Sequence, residues 1–140
     1  MTFNATGPRA IHPLHALLLA GTFTLFASAL LNDLAYWSTY QLQWSNFASW
    51  LIAGALVLGG IVLVFALAGL RPAGRRSGQT LFYLLLLLAS WTVGLFNAVI
   101  HAKDAYAVMP GGLVLSVITV LLAGAATWLG FSSLRTGNLS

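Results

Sequence analysis

An all-α integral membrane protein, a four-helix bundle with both termini cytoplasmic, is the fold class predicted here, and three observations predict it. Of 140 residues, 59% are hydrophobic and 6% charged, whereas about a quarter of the residues in a soluble domain are charged. Four apolar stretches alternate with short polar breaks, and roughly 20 helical residues suffice to cross a hydrocarbon core about 30 Å thick. The few charges, six basic and two acidic, fall unequally on the two sides of such a chain. A single transmembrane domain over residues 1–140 accounts for everything, and the lack of cysteine removes disulfide scaffolds and thiolate metal sites.

The first span is expected at about 10–31, with Pro13 in the first turn, where the missing N–H costs nothing. The second is expected at 49–70, the third at 80–101 and the fourth at 111–131, just after Pro110. Each break reads as a loop for its own reason: Asn32 to Asn46 is polar and aromatic, Arg71 to Gly78 is basic and rich in breakers, and Ala102 to Pro110 contains Lys103, Asp104 and Pro110. Arg9, Arg71, Arg75, Arg76 and Arg135 share one side of a four-pass chain and Lys103 lies on the other. The positive-inside rule then puts both termini and the basic loop on the cytoplasmic side. The net charge of +4 follows from this asymmetry and requires no nucleic acid. A cleavable signal ending at Ala27-Ser28-Ala29 is the rival reading of the first stretch, but that stretch exceeds the roughly 7–15 apolar residues of a signal.

Three spans carry polar or small stripes at alternating spacings of three and four. These are His12, His15, Leu19, Thr22, Phe26, Ala29 and Asp33 in the first, Ser90, Gly94, Asn97 and His101 in the third with Asp104 beyond, and Gly112, Ser116, Thr119, Ala123, Ala126 and Gly130 in the fourth. Small and polar stripes of this kind pack membrane helices together without any further function. Ionisable groups call for more, because lipid makes them costly. They form two candidate clusters separated by about 27 Å of helix. His12 and His15 lie at the inner end. Asp33, Asn97, His101 and Asp104 lie at the outer end, beside Trp37, Trp44, Trp50 and the tyrosines Tyr36, Tyr40 and Tyr106. Asp33 and His101 are expected to meet. The outer cluster suits a quinone headgroup or a docked partner, or else simply fixes helix ends. A haem b would have to take its axial pair from His101 and Met109 or from two subunits, since His12 and His15 share one helix. No triad or phosphate cradle is visible and no resident metal set converges, so the reading leans away from an enzyme.

The segments Ile11-His12-Pro13-Leu14-His15-Ala16-Leu17-Leu18 and Asn32-Asp33-Leu34-Ala35-Tyr36-Trp37 resemble those of the bacterial membrane family called domain of unknown function 2231. So do Trp44 to Gly54, Asn97 to Asp104, Met109-Pro110 and Trp128-Leu129-Gly130, over roughly Ile11 to Ser132. Many relatives carry a second histidine five residues after the first, where this chain has Leu17. The resemblance implies a four-helix inner-membrane protein whose relatives occur beside or fused to c-type cytochromes and periplasmic sugar dehydrogenases. The expectation is therefore a non-catalytic membrane subunit or anchor for a periplasmic redox partner, a dehydrogenase or cytochrome. A small one-haem electron carrier and a structural or assembly protein are the alternatives. The bilayer and a second copy of the chain are further expected partners.

Overall fold

The computed structural model describes residues 12–69 and 78–136, with side chains as far as Ser132. Residues 10 and 11 of the expected first span, Arg9, the basic segment 71–76 and the side chain of Arg135 lie outside the described residues. Helix α1 runs from Pro13–Thr39, α2 from Leu42–Ala68, α3 from Gly78–His101, a short α4 from Ala105–Val108 and α5 from Gly111–Thr136. No strand occurs among the described residues. Four of the helices are long and apolar enough to cross a membrane.

The break expected over Asn32 to Asn46 is corrected to a turn of two residues, Tyr40 and Gln41. Helix α1 continues to Thr39 and α2 begins at Leu42, seven residues before Ser49. The polar residues there do not interrupt the helix, because their side chains hydrogen-bond to its own carbonyls. Asn32 donates to the Ser28 carbonyl, Ser38 and Thr39 to that of Ala35, and Ser49 to that of Ser45. The chain reverses where Tyr40 adopts a left-handed conformation, φ 53°, and its N–H bonds back to the Tyr36 carbonyl at 2.7 Å. At 27 residues each, α1 and α2 are about 40 Å long, more than a bilayer core, so they tilt or project beyond it. The break at Ala102 to Pro110 holds α4 instead of being wholly irregular.

Helix α1 packs on α2 and α5, and α3 packs on α2 and α5, so the long helices form a ring in the order α1, α2, α3, α5. Helices α1 and α3 face each other across its centre. The three stripes are buried from Leu19 to Asp33 on α1, from Ser90 to His101 on α3 and from Gly112 to Gly130 on α5, while His12 and Asp104 at their ends are exposed. A fourth stripe on α2 is formed by Ser45, Ala48, Ile52, Ala55, Gly59 and Val62. Two apolar layers fill the middle. One centres on Phe26, Ile52 and Ala123, the other on Leu19, Val62 and Leu87. A Cβ on Gly94 would come within 2.8 Å of the Phe26 ring, so the absence of a side chain on α3 makes room for the aromatic on α1.

The two hairpins, α1–α2 and α3–α5, repeat one register. His15 and Tyr83 are hydrogen-bonded 68 residues apart, and so are Asp33 and His101. The same offset pairs the buried Leu19 with Leu87, Thr22 with Ser90, Phe26 with Gly94 and Ala29 with Asn97. With the ring order, this relates the hairpins by an approximate twofold axis along the bundle.

Candidate functional site

One polar layer lies near the end of the bundle that carries α4. Asp33 reaches it from α1, Asn97 and His101 from consecutive turns of α3, and Ser116 from α5. The His101 imidazole and Asp33 carboxyl are fully buried and meet with Nε2 at 2.8 Å from Oδ1. His101 Nδ1 is 2.9 Å from the Asn97 main-chain oxygen, Ser116 Oγ is 2.5 Å from Asp33 Oδ2, and Asn97 Nδ2 is 2.8 Å from Ser116 Oγ. From α2, the Ser49 hydroxyl approaches the His101 carbonyl at 3.5 Å.

Donor and acceptor chemistry fixes the protons. A main-chain carbonyl only accepts, so His101 Nδ1 carries hydrogen. Ser116 has one proton, which it donates to the Asp33 carboxyl. The Asn97 group facing Ser116 is therefore its NH2, and Ser116 accepts from it. One proton remains, between His101 Nε2 and Asp33 Oδ1. On nitrogen it makes an ion pair and on oxygen two neutral groups, and in both cases the pair has no net charge. That neutrality lets it stay out of water at tolerable cost. Asn97 Oδ1 is buried without a hydrogen-bond partner.

Gly112, on α5, lets the layer close. A Cβ there would sit 2.6 Å from Val108 Cγ1 and 2.9 Å from His101 Cε1. Val108, fully buried, and the imidazole thus crowd the same point from α4 and α3. Tyr36, also fully buried, donates its hydroxyl to the Ala105 carbonyl at 3.0 Å and ties α4 to α1.

The expected outer cluster therefore divides. Asp33, Asn97 and His101 converge, whereas Trp37, 45% exposed, and Trp50, 73% exposed, lie on the outside. Trp44 is half-buried and packs edge-on against Phe47. Asp104 is exposed and caps α4 by accepting from the Tyr106 N–H at 3.3 Å. Aromatic rings are at home at a membrane surface, which explains why they stay outside. The expected inner cluster divides as well. His12 caps α1 by accepting from the Leu14 N–H at 3.2 Å, while His15 Nε2 meets the Tyr83 hydroxyl at 2.8 Å. Tyr36, expected beside the outer cluster, covers the layer, and Ser116 belongs to the layer although the sequence places it only on a packing stripe. The signal for Ser116 was its place on the α5 stripe at the level of Asp33.

A haem ligand needs a free imidazole nitrogen, and both nitrogens of His101 are engaged, so ligation through either would forfeit a buried hydrogen bond. Met109 is half-buried at the end of α4. No group of three or more metal-ligating side chains converges among the described residues. No curated protein and no solved structure matches the chain. The sequence model of a family described as "Predicted membrane protein (DUF2231)" matches residues 11–135. The chain therefore belongs to that family, domain of unknown function 2231, whose four membrane-spanning helices here enclose a hydrogen-bonded Asp33–His101 pair.

Proposed function

We propose that the protein is a non-catalytic subunit or anchor in a bacterial inner membrane, serving a periplasmic redox partner at the end of the bundle that carries α4. The supporting observation is how its ionisable groups are used. Both Asp33 oxygens are committed to neighbouring helices, to His101 of α3 and Ser116 of α5, and the His101 nitrogens to Asp33 and to the Asn97 carbonyl of its own helix, which favours holding that end in a set shape over acting on a substrate. Around the layer, Trp37, Tyr40, Trp50 and Tyr106 stay exposed, as suits a surface at the membrane boundary that a partner could share. The partner's redox character rests on the family resemblance, and the orientation on the arginine bias.

The test is purification of the tagged protein in mild detergent from its own membranes, with quinone reduction and flavin and c-haem absorbance measured in the co-purified fraction. Trp50→Ala and Tyr106→Ala should lower the yield of the redox partner, while His101→Gln, which keeps hydrogen-bonding capacity, should leave the rate per folded protein nearly unchanged. Loss of quinone reduction in folded His101→Gln, or a Soret band from the purified chain alone, would overturn this reading in favour of redox chemistry at the pair. Orientation is checked separately. A cysteine at Ala107 should be labelled from outside intact cells and one at Ser77 protected, and the opposite pattern would remove the periplasmic partner.

A further inference from the structure

The polar layer and the small helix above it do more together than anchor a partner requires. We propose that the bundle holds one exchangeable proton in an occluded site between Asp33 Oδ1 and His101 Nε2, and that the connector bearing α4 is the lid through which this proton exchanges with water. The inference does not rest on the anchor reading, since it needs no partner.

The protein chemistry carries the first half. The hydrogen bonds around the pair leave one proton to be shared between Nε2 and Oδ1. While the site is closed, neither loss nor gain of a proton is tolerable, because either leaves a buried net charge with no opposite charge beside it. Replacement of one proton by another leaves the charge unchanged, but it needs water at the site. The polar groups bonded to the pair are the Asn97 carbonyl from α3 and the Ser116 hydroxyl from α5, which the Asn97 amide holds in turn, while the Ser49 hydroxyl of α2 approaches only the His101 main-chain carbonyl. Lys103 and Asp104 of the connector are exposed beyond them. Within the layer, Asn97 Oδ1 is a buried acceptor with nothing to accept from. An entering water has a partner waiting there, next to the pair.

Packing carries the second half. On the side away from α4, the apolar layer of Phe26, Ile52 and Ala123 closes the interior. On the α4 side the cover is the short connector, with Val108 and the imidazole crowding the bare backbone of Gly112 and the buried Tyr36 bonded to Ala105. Helix α4 has four residues, too few to be stable alone. Its fixings are the buried Val108 side chain, the Tyr36 hydroxyl bond to Ala105 and the Asp104 cap. Removing one such bond frees the lid more often without touching the pair.

The experiment follows ring N–H exchange of the three histidines by proton-detected nitrogen-15 NMR of the full chain in nanodiscs, after transfer to deuterated water. His101 is expected to exchange at least about tenfold more slowly than the exposed His12. Tyr36→Phe should speed His101 exchange about fivefold, the factor carried by one ordinary hydrogen bond. Asp104→Ala, at an exposed position that leaves the interior intact, should act in the same direction. Tyr83→Phe, which cuts the tie at the far end, should not. Exchange of wild-type His101 as fast as His12 overturns the occluded site. A protected His101 that only Tyr83→Phe accelerates, or that no variant accelerates, overturns the lid. Should Tyr36→Phe not fold, Asp104→Ala decides.

Discussion

His101 shows how a single residue's environment decides its role. A histidine at the end of an apolar helix can be a ligand, a titrating base or a structural donor. The carbonyl of Asn97 on one side and the carboxyl of Asp33 on the other leave it no free nitrogen. His101→Leu leaves the buried Asp33 carboxyl without its partner and should cost about 3–5 kcal/mol. The double variant Asp33→Leu with His101→Leu should recover much of that, because an apolar replacement of both partners removes the desolvation cost as well. Reversible unfolding of the variants in mixed micelles measures both, and a double variant as unstable as the single one would contradict this account. Gly112 makes the converse point. Gly112→Ala drives a methyl into Val108 and the imidazole and should destabilise by about 1–3 kcal/mol. Gly54→Ala meets only an ordinary contact at 3.4 Å with Leu25 and should be neutral or slightly stabilising. The same unfolding titration compares them.

Among the elements, the turn between α1 and α2 was hardest to foresee. Polar residues in a mostly apolar chain suggest a loop, yet inside a membrane helix Ser, Thr and Asn find acceptors in the turn before them. What ends α1 is a backbone event at Tyr40, not a change of composition. Its φ of 53° is uncomfortable for any residue with a Cβ and worst for a branched one. Tyr40→Val should therefore destabilise the α1–α2 hairpin by more than about 1 kcal/mol, whereas Tyr40→Gly exchanges relief of that strain for loss of the edge-on ring contact with Tyr36 and should come out near zero. Thermal melts in detergent discriminate the two. The stripes were easier. Those of α1, α3 and α5 were legible because burial follows their three-and-four spacing. The α2 stripe escaped because Ala48, Ile52, Ala55 and Val62 do not stand out from an apolar background.

For the whole molecule, the repeated register divides the bundle into two hairpins that meet where α1 packs on α5 and α2 on α3, with α1 and α3 facing each other across the centre. Matched positions are complementary and not identical: aspartate faces histidine, phenylalanine faces glycine, and histidine faces tyrosine. A symmetric pair of like charges on the axis would repel, so the two halves gain by differing. Since lipid supplies no hydrophobic drive between helices, these contacts and the small-residue seams must hold the halves together. A protease site introduced between residues 70 and 78 and cut after purification should leave the two fragments associated through gel filtration. The same cut in a chain carrying Asp33→Leu should let a measurable fraction separate. Fragments of the parent chain that part at once would show that the link, not the interface, holds the bundle.

Hydropathy alone determined that this protein has four membrane-spanning helices, because about 20 apolar residues in lipid have no other way to satisfy their backbone. Periodicity alone picked out which faces of three of them turn inward. Tertiary structure decided which residues at those faces form a site. Trp37, Trp50 and Asp104 share a level with Asp33 and His101, yet they stay outside. Level along a helix can be read from residue numbers, whereas direction toward a partner on the opposite helix depends on the ring order and on the close approach that Gly94 and Gly112 permit. The proton arrangement was equally out of reach, since it depends on Ser116 and a main-chain carbonyl arriving within hydrogen-bonding distance, and no spacing along one chain encodes that.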